Sequence, residues 1–270
     1  MRAQLRAPIG IFDSGIGGWS VLREIRRELP REALLYVADS AYAPYGERSE
    51  VEVAARAQAI ARHLVEAGVK SLVIACNTAT AAAAAALRAR YSLPIVAMEP
   101  AVKPAATMTR TGIVGVLATR RTVSSERLAR WRDVYGRDVS ILARAATGLV
   151  ERIEAGDLDG PATRALVEQH VAPLREAGVD VLVLGCTHFP LIRATIEAAA
   201  GPAVRVIEPA PAVARELRRR LEAARLIDGD GVPHTRVLTT GPIARMRELL
   251  AMLGETDLVA EAVDIPGAGA

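Results

Sequence analysis

The sequence predicts an α/β protein made of two pseudo-symmetric α/β domains with parallel-rich sheets. Short apolar runs alternate with longer amphipathic segments along the chain. The apolar runs are continuous, which is typical of strands covered by helices on both faces. A segment of the first half also recurs in the second half. Together these observations favour a duplicated β-α-β arrangement.

The first hundred residues alternate candidate strands with candidate helices. Strands are predicted at Ile9–Phe12, Leu34–Ala38, Leu72–Ala75 and Ile95–Met98. Helices are predicted at Val21–Leu29, Ser49–Ala67 and Ala79–Arg90. Ser49 with Glu52 three residues later forms a capping box, which marks the start of the second helix. Gly68 marks its end.

The internal repeat relates two cysteines. Glu66–Cys76 matches Glu176–Cys186 at 7 of 11 positions, with a constant offset of 110. Two weaker matches follow the same order: Met98–Ala101 with Ile207–Ala210, and Ile9–Ser14 with Val114–Thr119. Each cysteine follows a predicted strand, at the end where ligands bind in open α/β sheets. If the copies face each other, both thiols reach one cleft.

Composition excludes several classes of protein. Hydrophobic residues make up 51% and charged residues 24%, so the chain can bury a core. The net charge is +3 and the arginines are dispersed among acids, which disfavours nucleic-acid binding. Two cysteines exclude a disulfide-rich scaffold.

No membrane span is expected. Ser71–Leu87 lacks charged residues, but Cys76 and its polar neighbours divide it into a predicted buried strand and a helix. The N-terminus has no apolar signal core. We therefore expect a soluble, cytoplasmic protein.

No cofactor or metal is expected either. The only lysines are Lys70 and Lys103, which makes a Schiff-base cofactor improbable. The four histidines lack metal-ligand spacing: His63, His170, His188 and His234.

Polar residues follow both cysteines, in Cys76-Asn77-Thr78 and Cys186-Thr187-His188. A cysteine at a helix N-terminus has its thiolate favoured by the helix dipole. His188 is a plausible proton partner for Cys186. The alternative is that both cysteines are buried structural residues.

A glycine-rich turn, Asp13–Gly18, follows the first predicted strand. Its backbone N–H groups could bind a carboxylate, and Asp13 could bind an ammonium group. Ser20 stands where a dinucleotide loop needs a third glycine, and the phosphate-loop lysine is missing, so nucleotide binding is disfavoured. A plain tight turn is the other alternative.

These motifs together resemble the glutamate racemases, within the cofactor-independent aspartate/glutamate racemase superfamily. The resemblance rests on FDSGIGG at Phe12–Gly18, PYGERS at Pro44–Ser49, ACNTA at Ala75–Ala79, EPAVKPA at Glu99–Ala105 and GCTHFPL at Gly185–Leu191. It covers residues 9 to about 240 and implies two α/β domains with the active site in the cleft between them. The first domain would comprise 1–97 and 209–255, and the second 98–208. Separately, the composition of 256–270, which ends in Pro-Gly-Ala-Gly-Ala, predicts a loose C-terminal tail.

The resemblance also implies the chemistry and the partners. Cys76 and Cys186 would be the catalytic acid/bases that interconvert L- and D-glutamate, supplying D-glutamate for peptidoglycan. Asp13, His188 and an auxiliary glutamate would assist them; Glu154 aligns best with that glutamate, and Glu151 competes. A homodimer is expected. The implied substrate-binding residues are Asp13, Ser14, Tyr45, Gly46, Asn77, Thr78, Thr119, Thr187 and His188.

The chain departs from the family pattern in its second half. Ala118 and Arg121 replace two glycines of a threonine turn, and Ala146-Thr147 replaces a Cys-Pro pair. Glu208 stands where an aspartate is usual. These departures bear on substrate contacts more than on the thiol chemistry.

Three other functions stay open at this point. The chain could racemise aspartate or another acidic amino acid. It could be a one-thiol decarboxylase, which the presence of both cysteines disfavours. It could also be a binding protein that has lost catalysis.

Overall fold

The computed structural model describes residues 2–99, 101–135 and 139–267. The chain divides into two compact units. The first comprises the described residues of Met1–Met98 and Ala210–Ala270, and the second those of Glu99–Pro209.

Parallel strands and helices alternate along the chain. The strands are β1 (Ile9–Asp13), β2 (Leu34–Ala38), β3 (Ser71–Ile74), β4 (Ile95–Ala97), β5 (Ile113–Ala118), β6 (Ser140–Ala145), β7 (Val181–Gly185), β8 (Arg205–Ile207), β9 (Thr235–Thr239) and β10 (Ala260–Ala262). The helices are α1 (Arg2–Arg6), α2 (Trp19–Glu28), α3 (Glu50–Glu66), α4 (Asn77–Arg90), α5 (Val102–Met108), α6 (Arg120–Val123), α7 (Glu126–Tyr135), α8 (Leu149–Glu154), α9 (Pro161–Glu176), α10 (Arg193–Ala200), α11 (Ala210–Ala223) and α12 (Ile243–Met252). Short 3-10 turns lie at Ile16–Gly18, Ser40–Tyr42, Tyr45–Glu47 and Phe189–Ile192.

Each unit is built on a parallel sheet. The first sheet has the strand order β10-β9-β2-β1-β3-β4, and the second has the order β6-β5-β7-β8. Every pairing in the described residues is parallel. The predicted α/β class with parallel-rich sheets is therefore confirmed.

The central strands are buried along their whole length. Every residue of β1, β2, β3 and β7 is buried, as their continuous apolar sequences predict. In the first unit this core continues into α3 and α4 and includes Phe12, Tyr45 and Cys76. In the second unit a core cluster with residues from α5, β5, β6 and β7 includes Val116 and Val183.

Local signals explain where the helices begin and end. Ser49 and Glu52 form both bonds of the predicted capping box at the start of α3. Gly68, with φ of 81°, follows the end of that helix. Helix α4 begins two residues earlier than predicted, because the Cys76 sulfur accepts a hydrogen bond from the Ala79 N–H and so caps the helix. Ser71–Leu87 forms β3 and α4, as predicted, and none of the described helices is long and apolar enough to span a membrane.

The C-terminal segment differs from the expected loose tail. Ala260–Ala262 form β10, which pairs with β9 at the edge of the first sheet. Ile265 is buried, and its carbonyl accepts a hydrogen bond from Arg56. These contacts come from residues distant in sequence, so the local composition of the segment did not reveal them. Residues 268–270 of the expected tail lie outside the described residues.

Candidate active site

In each unit, a cysteine follows a central strand at the carboxyl edge of the sheet. Cys76 lies between β3 and α4, and Cys186 directly follows β7. Both are buried, and neither forms a disulfide with another described residue. The internal repeat thus places the two thiols at equivalent positions of two sheets, where α/β proteins commonly bind ligands.

Cys76 caps the N-terminus of α4, a helix of 14 residues. The Ala79 N–H donates to its sulfur across 3.5 Å. The Ser14 hydroxyl oxygen lies 4.0 Å from the same sulfur. A backbone donor and the positive end of a helix dipole both favour a thiolate at this place.

Asp13 ends β1 beside the glycine-rich turn and is fully buried. The Gly18 N–H donates to its Oδ2 across 2.5 Å, and the Ser14 hydroxyl lies 3.5 Å from its Oδ1. The Tyr36 hydroxyl donates to the Gly15 carbonyl across 2.5 Å. The turn therefore holds the carboxylate in a fixed position.

The buried side-chain amide of Asn77 indicates a binding site for a polar ligand. Its side chain is buried, yet neither the amide nitrogen nor the amide oxygen has a hydrogen-bond partner among the described residues. Leaving a buried amide unsatisfied costs on the order of 1–3 kcal/mol. A polar ligand would offset that cost, and the neighbouring Thr78 is buried as well.

Tyr45 and Gly46 are buried in a turn that follows the β2 strand. Tyr45 belongs to the same core cluster as Cys76. Its hydroxyl donates to Asp39 Oδ2 across 2.5 Å. Burial raises the pKa of Tyr45 far above its ordinary value, and the Asp39 carboxylate raises it further, so the phenol stays neutral.

In the second unit, Cys186 is followed by a buried histidine that bridges it to a carboxylate. The His188 Nδ1 lies 3.8 Å from the Cys186 sulfur, and its Nε2 lies 2.7 Å from Glu154 Oε1. Burial by itself lowers the pKa of His188. The hydrogen bonds and charges of Cys186 and Glu154 outweigh burial, so the pKa stands well above its ordinary value of 6.5.

The geometry separates the two candidate glutamates. Glu154, at the end of α8, contacts His188, whereas Glu151 in the first turn of that helix is exposed. Thr187, between the cysteine and the histidine, is buried.

Thr119 and Thr122 contact each other in the turn where Ala118 and Arg121 replace two glycines. Thr119 accepts a hydrogen bond from the Thr122 N–H and so caps α6. Its hydroxyl lies 3.0 Å from the Thr122 hydroxyl. Of the other departures, Glu208 pairs with Arg193 at 3.0 Å. Pro100, in the first Glu-Pro motif, lies outside the described residues.

The structure therefore groups the predicted site residues by unit. The first unit contains Asp13, Ser14, Tyr45, Gly46, Cys76, Asn77 and Thr78, and the second contains Thr119, Glu154, Cys186, Thr187 and His188. No group of histidine, cysteine and acidic residues within the described ranges could hold a metal ion.

The sequence analysis did not single out Asp39 and Arg56. Their side chains form a buried ion pair, with 2.7 Å between Arg56 Nη2 and Asp39 Oδ1, and the Tyr45 hydroxyl donates to the same aspartate. Two signals could have revealed them. Asp39 directly follows the apolar strand β2, much as Asp13 ends β1. Arg56 shares the buried helical stripe of Val53 and Ile60, where an arginine needs a partner.

Comparison with known proteins identifies a matching family and similar proteins. A family model described as Asp/Glu/Hydantoin racemase matches residues 9–217. The chain is 51% identical over 251 residues to the glutamate racemase of Ectopseudomonas mendocina (strain ymp), covering 93% of this chain and 95% of that protein.

Solved structures are similar along nearly the whole chain. Escherichia coli glutamate racemase, in complex with L-glutamate and the activator UDP-MurNAc-ala, has a TM-score of 0.85 and 31% identity, covering 97% of this chain and 100% of that one. Francisella tularensis glutamate racemase, in complex with D-glutamate, has a TM-score of 0.84 and 26% identity, covering 97% and 98%.

Proposed function

Because the chain belongs to the Asp/Glu/Hydantoin racemase family and is an amino-acid racemase, we propose that it interconverts L-glutamate and D-glutamate. A relative half identical to it over most of its length is a glutamate racemase. Two similar structures hold L-glutamate and D-glutamate. These findings favour glutamate over aspartate as the substrate.

Racemisation requires a proton to leave one face of Cα and a proton to arrive at the opposite face. In this proposal, one cysteine begins as a thiolate and takes the Cα proton, leaving the electron pair on a carbanion. The thiol of the other cysteine then donates its proton to that carbon and becomes a thiolate. The roles of Cys76 and Cys186 reverse with the hand of the substrate, as general acid–base catalysis requires.

The observation that supports this mechanism is that the two thiols occupy equivalent positions in their units. Each is buried without a disulfide to another described residue, and each lies within two residues of the end of a central strand of its own sheet. Two structural cysteines would not need matching positions or polar residues after them.

In the first unit, Asp13 and Ser14 assist Cys76. The Asn77 amide, which has no hydrogen-bond partner within the described part of the chain, binds the substrate. Its amide nitrogen can donate to a carboxylate, and its oxygen can accept from an ammonium group. Thr78, Tyr45 and Gly46 complete this part of the site. Donors to the α-carboxylate would stabilise the negative charge that develops when the Cα proton leaves.

In the second unit, His188 and Glu154 assist Cys186. The His188 Nδ1 lies 3.8 Å from the Cys186 sulfur, close enough for the imidazole to exchange a proton with the thiol. When Cys186 donates its proton, Glu154 keeps the imidazolium oriented towards the sulfur. Thr119 and Thr187 would bind the substrate.

Racemase activity tests the proposal directly. Circular dichroism would follow the loss of optical signal from L-glutamate and from D-glutamate, with aspartate as a parallel substrate. Because general acid–base groups contribute about 10²–10⁴-fold, C76S and C186S should each lose at least about 10²-fold in both directions. Matching thermal midpoints would show that both variants remain folded.

Three outcomes would reject the proposal. These are wild-type turnover of aspartate but not glutamate, full activity in either cysteine variant, or glutamate binding without turnover. We also propose that no metal or pyridoxal cofactor takes part, so activity should survive dialysis against chelator and treatment with hydroxylamine.

We propose that the enzyme supplies D-glutamate for peptidoglycan in the cytoplasm and works as a homodimer. Sedimentation equilibrium with and without glutamate would measure the assembly.

A further inference from the structure

Asp39 and Arg56 form a buried ion pair next to the Tyr45 hydroxyl. The Arg56 Nη2 donates to Asp39 Oδ1 across 2.7 Å, and its Nε donates to Oδ2 across 3.0 Å. Only 4% of the arginine side chain and none of the aspartate side chain is exposed. This two-pronged geometry fixes the carboxylate in both position and orientation.

Asp39 in turn fixes the position of the Tyr45 side chain. Besides the two arginine bonds, its carboxylate accepts from the Tyr45 hydroxyl at 2.5 Å and from the Thr240 hydroxyl at 2.9 Å. With its proton committed to Asp39, the Tyr45 phenol is anchored at one end. The tyrosine ring and Cys76 belong to the same core cluster.

Arg56 is itself held from two further sides. Its Nη1 donates to the Ile265 carbonyl across 2.6 Å, and its guanidinium carbon lies 3.8 Å from the centre of the Tyr42 ring. Tyr42 begins the loop that leads to Tyr45. The C-terminal segment after β10 thus contributes directly to the support of this loop.

Stability alone does not account for this arrangement. A buried ion pair often adds little net stability compared with apolar residues of the same size, because removing both charges from water is costly. What the pair provides is a defined geometry. That geometry fixes the position of a turn that contains Tyr45 and Gly46, two of the residues proposed to bind substrate.

We propose that Asp39 and Arg56 are positioning residues that hold the Tyr45–Gly46 turn in its substrate-binding conformation. The inference rests on the proposed function, since it assigns these residues to the binding of glutamate. They act through Tyr45 and do not touch the substrate. Residues 260–265 complete the support by supplying the Ile265 carbonyl.

Steady-state kinetics of R56M and R56K test the proposal. R56M removes every bond to Asp39 from the guanidinium, while R56K restores a charge without the two-pronged geometry. Because the turn contacts glutamate in both the ground state and the transition state, R56M should raise KM about tenfold and leave kcat within about twofold. R56K should recover part of that loss.

A double-mutant cycle tests whether the effect passes through Tyr45. Y45F removes the hydroxyl that Asp39 anchors and should raise KM to a similar extent. If Arg56 acts through Tyr45, the double variant R56M/Y45F should have a KM close to that of either single variant. Multiplied effects would show that the two residues act independently.

Lys70 offers a matched control in the same unit. It pairs with Glu32 in a second buried ion pair, before β3 and away from Cys76. K70M also breaks a buried pair and should destabilise the fold. Measured where far-UV circular dichroism shows all variants folded, it should keep the wild-type KM and kcat.

The outcomes separate the two proposals. If the wild-type chain does not racemise glutamate, the proposed function fails and this inference falls with it. If the wild type is active, an unchanged KM in folded R56M, an equal rise in K70M, or multiplied effects in the double variant would overturn the positioning role alone.

Discussion

Replacing Gly18 with alanine should disable Asp13 through a steric clash. Gly18 has φ of −60° and ψ of −10°, which alanine adopts readily, so space and not backbone freedom requires the glycine. An added Cβ would lie 2.6 Å from Asp13 Cβ and 2.8 Å from the Tyr36 hydroxyl oxygen. The carbon atoms would have to separate by about 0.8 Å to reach the 3.4 Å of ordinary contact.

The required shift sets the expected magnitude. Asp13 lies in a buried central strand, so the turn must move, and the Gly18 N–H must leave its 2.5 Å contact with the carboxylate. A misplacement of about 1 Å in an active site can cost about 10²-fold in rate. We therefore expect kcat/KM for glutamate to fall about 10²-fold, with a loss of about 1–3 kcal/mol in unfolding free energy.

Racemisation kinetics and urea unfolding would be measured together, with G68A as the control. Gly68 has a φ of 81°, and an added Cβ there would meet no other described residue within 4 Å, so alanine costs about 1 kcal/mol through backbone strain alone. G68A should be destabilised yet catalyse normally. Near-wild-type kcat/KM in G18A, or an equal loss in G68A, would refute the reasoning.

Two further predictions concern titration and binding. Because the pKa of His188 is raised in the folded state, its stabilising contribution should be complete below the ordinary pKa of 6.5 and disappear as pH rises through the folded pKa. The difference in unfolding free energy between wild type and H188N should therefore shrink with rising pH, and a difference that grows would contradict the raised pKa. Since neither polar atom of the Asn77 amide has a hydrogen-bond partner among the described residues, N77A should lower the affinity for glutamate about tenfold without destabilising the unliganded protein. Calorimetry in the C76S background would measure that affinity, and an unchanged value would exclude Asn77 from the site.

The elements most visible in the sequence were those with local causes. The boundaries of β2 match the prediction, and α3 begins at its capping box, because burial and capping leave signals within a few residues. The internal repeat indicated that Cys76 and Cys186 occupy equivalent positions, each after a strand.

Features that depend on distant contacts were not visible. Glu151 and Glu154 lie on one short helix, and only the fold brings Glu154 to His188. Strand β10 was missed because its pairing partner, β9, and not its own composition, defines it. The Asp39–Arg56 pair joins the end of a strand to a helix 17 residues later.

The most direct test of the two-thiol account is the fate of the Cα proton in D2O. The wild-type enzyme would turn over L-glutamate to low conversion, and the two enantiomers would be separated and analysed by mass spectrometry. A thiol that has exchanged with solvent delivers deuterium to the product, whereas a proton returned by the first sulfur leaves the substrate unlabelled. The account predicts one deuterium in nearly every D-glutamate molecule and almost none in the remaining L-glutamate. D-glutamate that retains the original proton, or equal labelling of both enantiomers, would contradict it.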